Sequence, residues 1–288
     1  MTAPPQPAQR RYTGPDGPEI ELPKGDVTEG VVRVGDTVRR PAQPQSGAVA
    51  AYLDHLESVG FAGAPRYLGR DSAGRDVLSF LPGRVPGDPP EPWAADEDLL
   101  ASVAELLREL HTASAGFLAP QGFAAPEGAV WRRDLVPVEV PFPDPEPELI
   151  SHLDITPQNV VTRAGRAVGL VDFDLAGPTS RLLEVYNTAM HWVPLRPPDE
   201  VYAGWPPVDQ YARLRRFVDA YGLSRDERLQ LPELGVVRAQ IGWYRMRASA
   251  EQLGGGWARM WRDGVGDAIR RRERWLRDNR TALLTALA

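Results

Sequence analysis

Four polar residues, His152, Asp154, Asn159 and Asp172, fall within one stretch, SHLDITPQNVVTRAGRAVGLVDFD. Phosphoryl transfer needs a carboxylate beside the attacking hydroxyl and oxygen ligands for Mg²⁺, and Asp154, Asn159 and Asp172 supply that set. Ile150 and Val160-Val161 flank a polar loop, Gly165 makes a turn, and residues 168–171 read as a buried strand that delivers Asp172 at its end. Any one of these acids alone reads as a turn residue or cap. Their order and strand context argue for a site. A second chemistry uses His152, Asp154, Asp172 and Asp174 as ligands in a metal-dependent hydrolase, although the helical His pair common in such sites is absent.

The pattern H-x-D-x-x-x-x-N, followed after a short hairpin by D-F-D, resembles the aminoglycoside phosphotransferase family, small-molecule relatives of the protein kinases. The resemblance implies that Asp154 accepts or orients the acceptor hydroxyl proton, that Asn159 and Asp172 bind Mg²⁺, and that His152 braces the loop. Asp174 and Glu184 match acids with structural roles. One departure stands out: the family usually has Gly between the His and the Asp, where this chain has Leu153. Leucine pays for a positive φ, so the loop is expected to run through ordinary backbone space.

The implied fold is α+β, protein-kinase-like and two-lobed. A disordered Pro- and Gln-rich tail (1–18) precedes a small β-rich nucleotide-binding lobe (19–83) and a larger, mainly helical catalytic and substrate-binding lobe (84–288). Strands are expected at 19–22, 30–34 and 37–40, a helix at 47–59, and a strand at 76–81. The loop after the first strand carries Lys24, the only lysine, in place to face nucleotide phosphates. The family's phosphate-binding lysine on the third strand is replaced by Arg39 or Arg40. Strand alternation lets only one face the cleft, and Arg39 is the expected one, with Arg40 toward solvent. The partner glutamate expected in the first turns of the following helix is missing. Beyond the strand, Phe80 and Leu81 would meet the purine of ATP or GTP, which backbone contacts do not distinguish.

An amphipathic helix covers 96–115, a long Pro-rich loop follows, and helices fill the chain beyond residue 181, the last running from Trp257 to the C-terminus. Trp192, Trp205, Trp243, Trp257 and Trp261 stand on those helices as substrate contacts or core. Only eight residues separate Asp172 from the next helix, too few for the segment on which protein kinases seat peptides. A small-molecule hydroxyl is the implied acceptor, an antibiotic or a metabolite. Ten Arg against five acids between 245 and 280 disfavour a polycationic acceptor and suit a neutral or anionic one. Net charge of −6 argues against nucleic-acid affinity, and no apolar run reaches membrane-spanning length. With no Cys and no secretion signal, the cytoplasm is the expected compartment, and oligomeric state is left open. A nucleotide-binding pseudokinase or scaffold is the rival reading, favoured by the missing lysine and glutamate.

Overall fold

A computed structural model describes residues 10–22, 30–117, 122–141 and 145–288. Lys24 and its loop lie outside them. The first lobe is an antiparallel sheet of β1 (Ile20–Glu21), β2 (Val32–Val34), β3 (Thr37–Arg40), β4 (Tyr67–Arg70) and β5 (Asp76–Ser79), in the order β1-β2-β3-β5-β4. Gly35, at φ 57°, makes the tight β2–β3 turn. Helix α1 (Ser46–Ser58) buries Tyr52, Leu53 and Leu56. Strand β4 was not expected. Its YLGR sequence lacks apolar alternation, and Gly69 interrupts its register with β5.

Residues 10–18 were expected to be disordered, and the structure corrects this. The Tyr12 N–H donates to the Arg70 carbonyl at 2.7 Å, the Arg70 N–H to the Arg10 carbonyl at 2.8 Å, and Arg10 pairs with Asp54 at 2.6 Å. Backbone and ion-pair bonds hold this segment on the edge of β4, and hydropathy carries no trace of such bonds.

The chain leaves β5 across a narrow hinge. Arg84 and Thr162 exchange backbone hydrogen bonds at 3.0 and 2.7 Å. A side chain at Gly83 would place its Cβ 2.6 Å from the Thr162 carbonyl oxygen, so only glycine permits this approach.

The second lobe is built on α2 (Glu97–Ser114), capped by Asp96 and burying Leu99, Leu100, Val103, Leu106, Leu107 and Leu110. Two antiparallel pairs pack beside it: β6 (Leu149–Ser151) with β9 (Gly177–Thr179), and, in the chain between them, the hairpin of β7 (Val160–Arg163) and β8 (Arg166–Leu170). Helices α3 (Arg181–Trp192), α4 (Gln210–Tyr221) and α5 (Arg225–Leu253) follow. The Ser224–Glu227 capping box starts α5, and Pro232 stands inside the helix, where it gives up the backbone bond to Arg228. The single terminal helix expected from the sequence is three: α6 (Gly255–Arg262), α7 (Val265–Asp278) and α8 (Arg280–Leu287), with Gly264 at φ 94° breaking the first from the second. No helix among the described residues is long and apolar enough to cross a membrane.

Candidate active site

The loop between β6 and β7 is fixed from both sides. His152 is fully buried. Its Nε2 donates to the Val171 carbonyl at 2.9 Å and its Nδ1 accepts the Asp154 N–H at 3.2 Å. Burial lowers its pKa to about 4, so the ring is neutral, and it packs tilted against Phe173 with centroids 4.4 Å apart. With both nitrogens engaged, His152 is a positioning residue that ties the Asp154 loop to the strand leading into Asp172. The hydrolase ligand set loses its histidine, and no group of three or more His, Cys, Asp or Glu suited to a metal occurs among the described residues.

Leu153 adopts φ 65°, which corrects the expectation of ordinary backbone space. Glu184 of α3 accepts the Leu153 N–H at 2.9 Å, and Asn187 donates to the Leu153 carbonyl at 3.1 Å. These bonds offset the cost of a left-handed leucine. Glu184 is fully buried, and desolvation together with nearby Asp154 pushes its carboxyl up to about 7, against the Leu153 hydrogen bond and Arg238.

Asn159 ends a 3₁₀ turn, Pro157–Asn159, and spends its amide NH₂ on the Asp154 carbonyl and carboxylate, each at 2.9 Å. Its backbone carbonyl accepts the Val171 N–H at 2.9 Å. The Asn159 amide oxygen is thereby left for a cation beside Asp172, which sits at φ 63° with its side chain 44% exposed. One amide oxygen and one carboxylate fit Mg²⁺ completed by phosphate oxygens and water rather than a resident all-protein metal site.

The cationic side of the cleft corrects the expected register. Arg40, not Arg39, reaches the site. Its Nη1 lies 3.2 Å from Asp172 Oδ1, and its Nη2 also bonds Asp174. Burial works against the Arg40 charge, but Asp174, Asp172 and Asp76 keep its pKa above the ordinary value. Arg39 points to the opposite sheet face, where it pairs with Asp16 at 2.6 Å and Asp71 at 3.5 Å. The acid beside the strand cation comes from β5: Asp76 is paired with Arg40 in register, is buried, and accepts from Ser46 at the start of α1, Tyr67 and Arg70. A search confined to α1 misses it. The signal was the lone acid opening an apolar strand. Arg40, Ser46, Tyr67, Asp76, Asp172 and Asp174 line one cavity between the lobes.

At the hinge, Leu81 packs against β8, where a Cβ on Gly169 would meet its Cδ1 at 2.9 Å. Phe80 turns its ring under the Arg33 guanidinium, 3.7 Å away. Trp192 and Trp205 are buried, with their indole N–H groups on the Ile155 and Pro90 carbonyls. They belong to the core. Trp243 and Trp261 pack against each other at 5.5 Å, and Trp257 lies under Arg132.

A small β lobe hinged to a helical lobe, with these polar residues between them, defines a protein-kinase-like phosphotransferase architecture. The chain belongs to the phosphotransferase enzyme family (APH), whose pattern matches residues 134–218. It is 35% identical over 220 residues to a trifolitoxin immunity protein from Rhizobium leguminosarum bv. trifolii, covering 73% of this chain and 76% of that one. Its fold is similar to that of a choline/ethanolamine kinase family protein from Mesorhizobium loti (TM-score 0.53, 18% identity, 96% of this chain and 93% of the other). It is also similar to an amicoumacin kinase solved with AMP-PNP and Ca²⁺ (TM-score 0.56, 10% identity, 94% and 91%). A third similar fold is aminoglycoside 2'-phosphotransferase-IIIa with GDP (TM-score 0.52, 15% identity, 93% and 94%).

Proposed function

We propose that the protein moves the γ-phosphoryl group of ATP or GTP to a hydroxyl of a small molecule. The acceptor oxygen attacks the γ-phosphorus, the bond to the β–γ bridging oxygen breaks, and its electron pair leaves on the nucleoside diphosphate. The acceptor proton passes to the Asp154 carboxylate, which Asn159 orients. Mg²⁺ held by Asn159 and Asp172 would neutralise charge on the phosphate oxygens. Arg40 exchanges its carboxylate partners for phosphate oxygens when the donor binds. His152, Glu184 and Asn187 hold the loop without touching substrate.

The observation that carries this reading is the run of contacts from Asp154 to Asn159, from the Asn159 backbone to Val171 beside Asp172, and from Asp172 to Arg40. Neighbours solved with GDP and with AMP-PNP support a purine nucleotide donor. The relative called an immunity protein supports a protective role, with an antibiotic as one class of acceptor. The intact Asp154, Asn159 and Asp172 set stands against the pseudokinase rival. The testing experiment follows phosphorylated product by mass across a hydroxyl-acceptor panel, with Mg–ATP or Mg–GTP, in wild type and Asp154→Asn. Product from wild type and a drop of roughly 10²–10⁴ in the variant support the reading. Equal turnover by both removes Asp154 from its role.

A further inference from the structure

Three arginines from separate elements gather against α3: Arg196 after α3, reaching it through Tyr202, Arg238 on α5 at Asn187 and Arg272 on α7 at Met190. They surround Tyr186 and His191 of α3, and all three push His191 toward its neutral form beyond what burial does. Their hydrogen-bond acceptors are neutral atoms: the Tyr202 hydroxyl for Arg196, the Asn187 amide oxygen for Arg238 and the Met190 sulfur for Arg272. Three buried donors, Arg196 Nε, Arg272 Nε and the Tyr186 hydroxyl, have no acceptor. A further arginine, Arg245, also repels the Arg238 charge, and the acids acting on this group among the described residues are Asp154 and Glu184 at Arg238 and Asp88 at Tyr202.

An Arg stacked on Tyr, as Arg196 is on Tyr202 at 4.7 Å, has an ordinary structural reading. Three guanidinium groups repelling one another, with donors left over, do not. Burial and the charges of Arg196 and Arg238 bring the Arg272 pKa down to about 10. A fold keeps such an arrangement where an anion completes it, because guanidinium groups grip carboxylate and phosphate oxygens with paired N–H bonds. The cluster is also tied to the loop of the transfer site, since Asn187 links Arg238 to the Leu153 carbonyl, one residue from Asp154.

We infer that the cluster of Arg196, Arg238, Arg272 and Tyr186 receives an anionic group of the acceptor, a carboxylate or a phosphate, and so presents a hydroxyl of an anionic small molecule to Asp154. The inference rests on the phosphotransferase reading. It names the class of acceptor that reading leaves open.

The test titrates inorganic phosphate, acetate and ethanolamine separately into the full-length protein by calorimetry, using wild type, Arg272→Met, Arg196→Gln and Arg40→Gln. Wild type should bind phosphate or acetate saturably, and the stronger of the two identifies the anion. Arg272→Met and Arg196→Gln should each weaken that binding at least tenfold while keeping the wild-type circular dichroism spectrum, and Arg40→Gln should retain it. Arg272→Met should keep or raise Tm, because it removes a charge without a counterion. If one cluster variant fails to fold, the other carries the comparison. Preference for ethanolamine, no saturable anion binding, or binding lost only in Arg40→Gln would overturn the inference. Mg–ATP binding measured in the same proteins separates the two readings. Nucleotide bound without anion binding at the cluster defeats this inference alone. Anion bound with no nucleotide binding defeats the phosphotransferase reading, and with it the acceptor role of the cluster.

Discussion

Arg40 of β3 reaches across the interlobe cleft to Asp172, Nη1 to Oδ1 at 3.2 Å, so the first lobe's cation rests on the carboxylate assigned to the metal. Asp174 shares the same guanidinium. A Mg²⁺–nucleotide complex entering this cleft would offer Asp172 the divalent metal as a stronger counter-charge and offer Arg40 phosphate oxygens. The pair therefore holds both groups in place before the donor arrives.

The two strand arginines should separate cleanly. Arg40→Ala is expected to raise nucleotide KM or lower kcat by tenfold or more, the worth of one charge-assisted phosphate contact at about 1.5–3 kcal/mol. Arg39→Ala should leave both constants near wild type and lower stability by roughly 0.5–1.5 kcal/mol, since its bonds to Asp16 and the Pro15 carbonyl are lost while Asp71 keeps Arg75. Steady-state kinetics alongside urea denaturation reads both effects, and the reverse pattern would put Arg39 in the cleft.

Leu153 carries a backbone cost that glycine would not. Leu153→Gly should lose less than about 1 kcal/mol, since relief of the positive φ offsets lost packing and chain entropy. A β-branched Leu153→Val should cost more than about 1 kcal/mol. Urea midpoints compare the two. A larger loss for glycine than for valine would mean that side-chain packing governs this position.

Glu184 gives the fold a pH dependence. Its folded pKa of about 7 lies above the ordinary carboxylate value, so the folded state holds the proton more tightly. Its contribution is full below about pH 4.5 and is lost as pH rises through about 7. His152 acts oppositely: with its pKa lowered to about 4, its contribution is present above about 6.5 and falls away as pH drops through about 4. Glu184→Gln isolates the first effect. The difference in Tm between wild type and Glu184→Gln should shift steadily in the variant's favour from pH 5 to pH 8. A difference constant across that range would mean that Glu184 titrates normally.

The catalytic loop and most helices were legible because their signals are local. The spacing of His152, Asp154, Asn159 and Asp172, the apolar stripe of α2 and the Ser224–Glu227 box are all written within a few residues. Contacts fixed by tertiary pairing were not. Alternation says that Arg39 and Arg40 face opposite ways, but which one faces the cleft depends on β3 pairing with β5, where Arg40 meets Asp76. The positive φ of Leu153 depends on Glu184 and Asn187, more than thirty residues away. The three-way arginine cluster draws on α5, α7 and the segment after α3, and the sequence registered only a basic excess at the C-terminal end.

Binding of nucleotide through Asp172 tests the account most directly, because it needs no knowledge of the acceptor. ATP and GTP are titrated by calorimetry into wild type and Asp172→Ala, with Mg²⁺ and with EDTA. Wild type should bind at least one nucleotide, more tightly with Mg²⁺, and Asp172→Ala should lose the Mg²⁺-dependent part. An Mg²⁺ effect undiminished in Asp172→Ala, or a wild type that binds neither nucleotide, would contradict it.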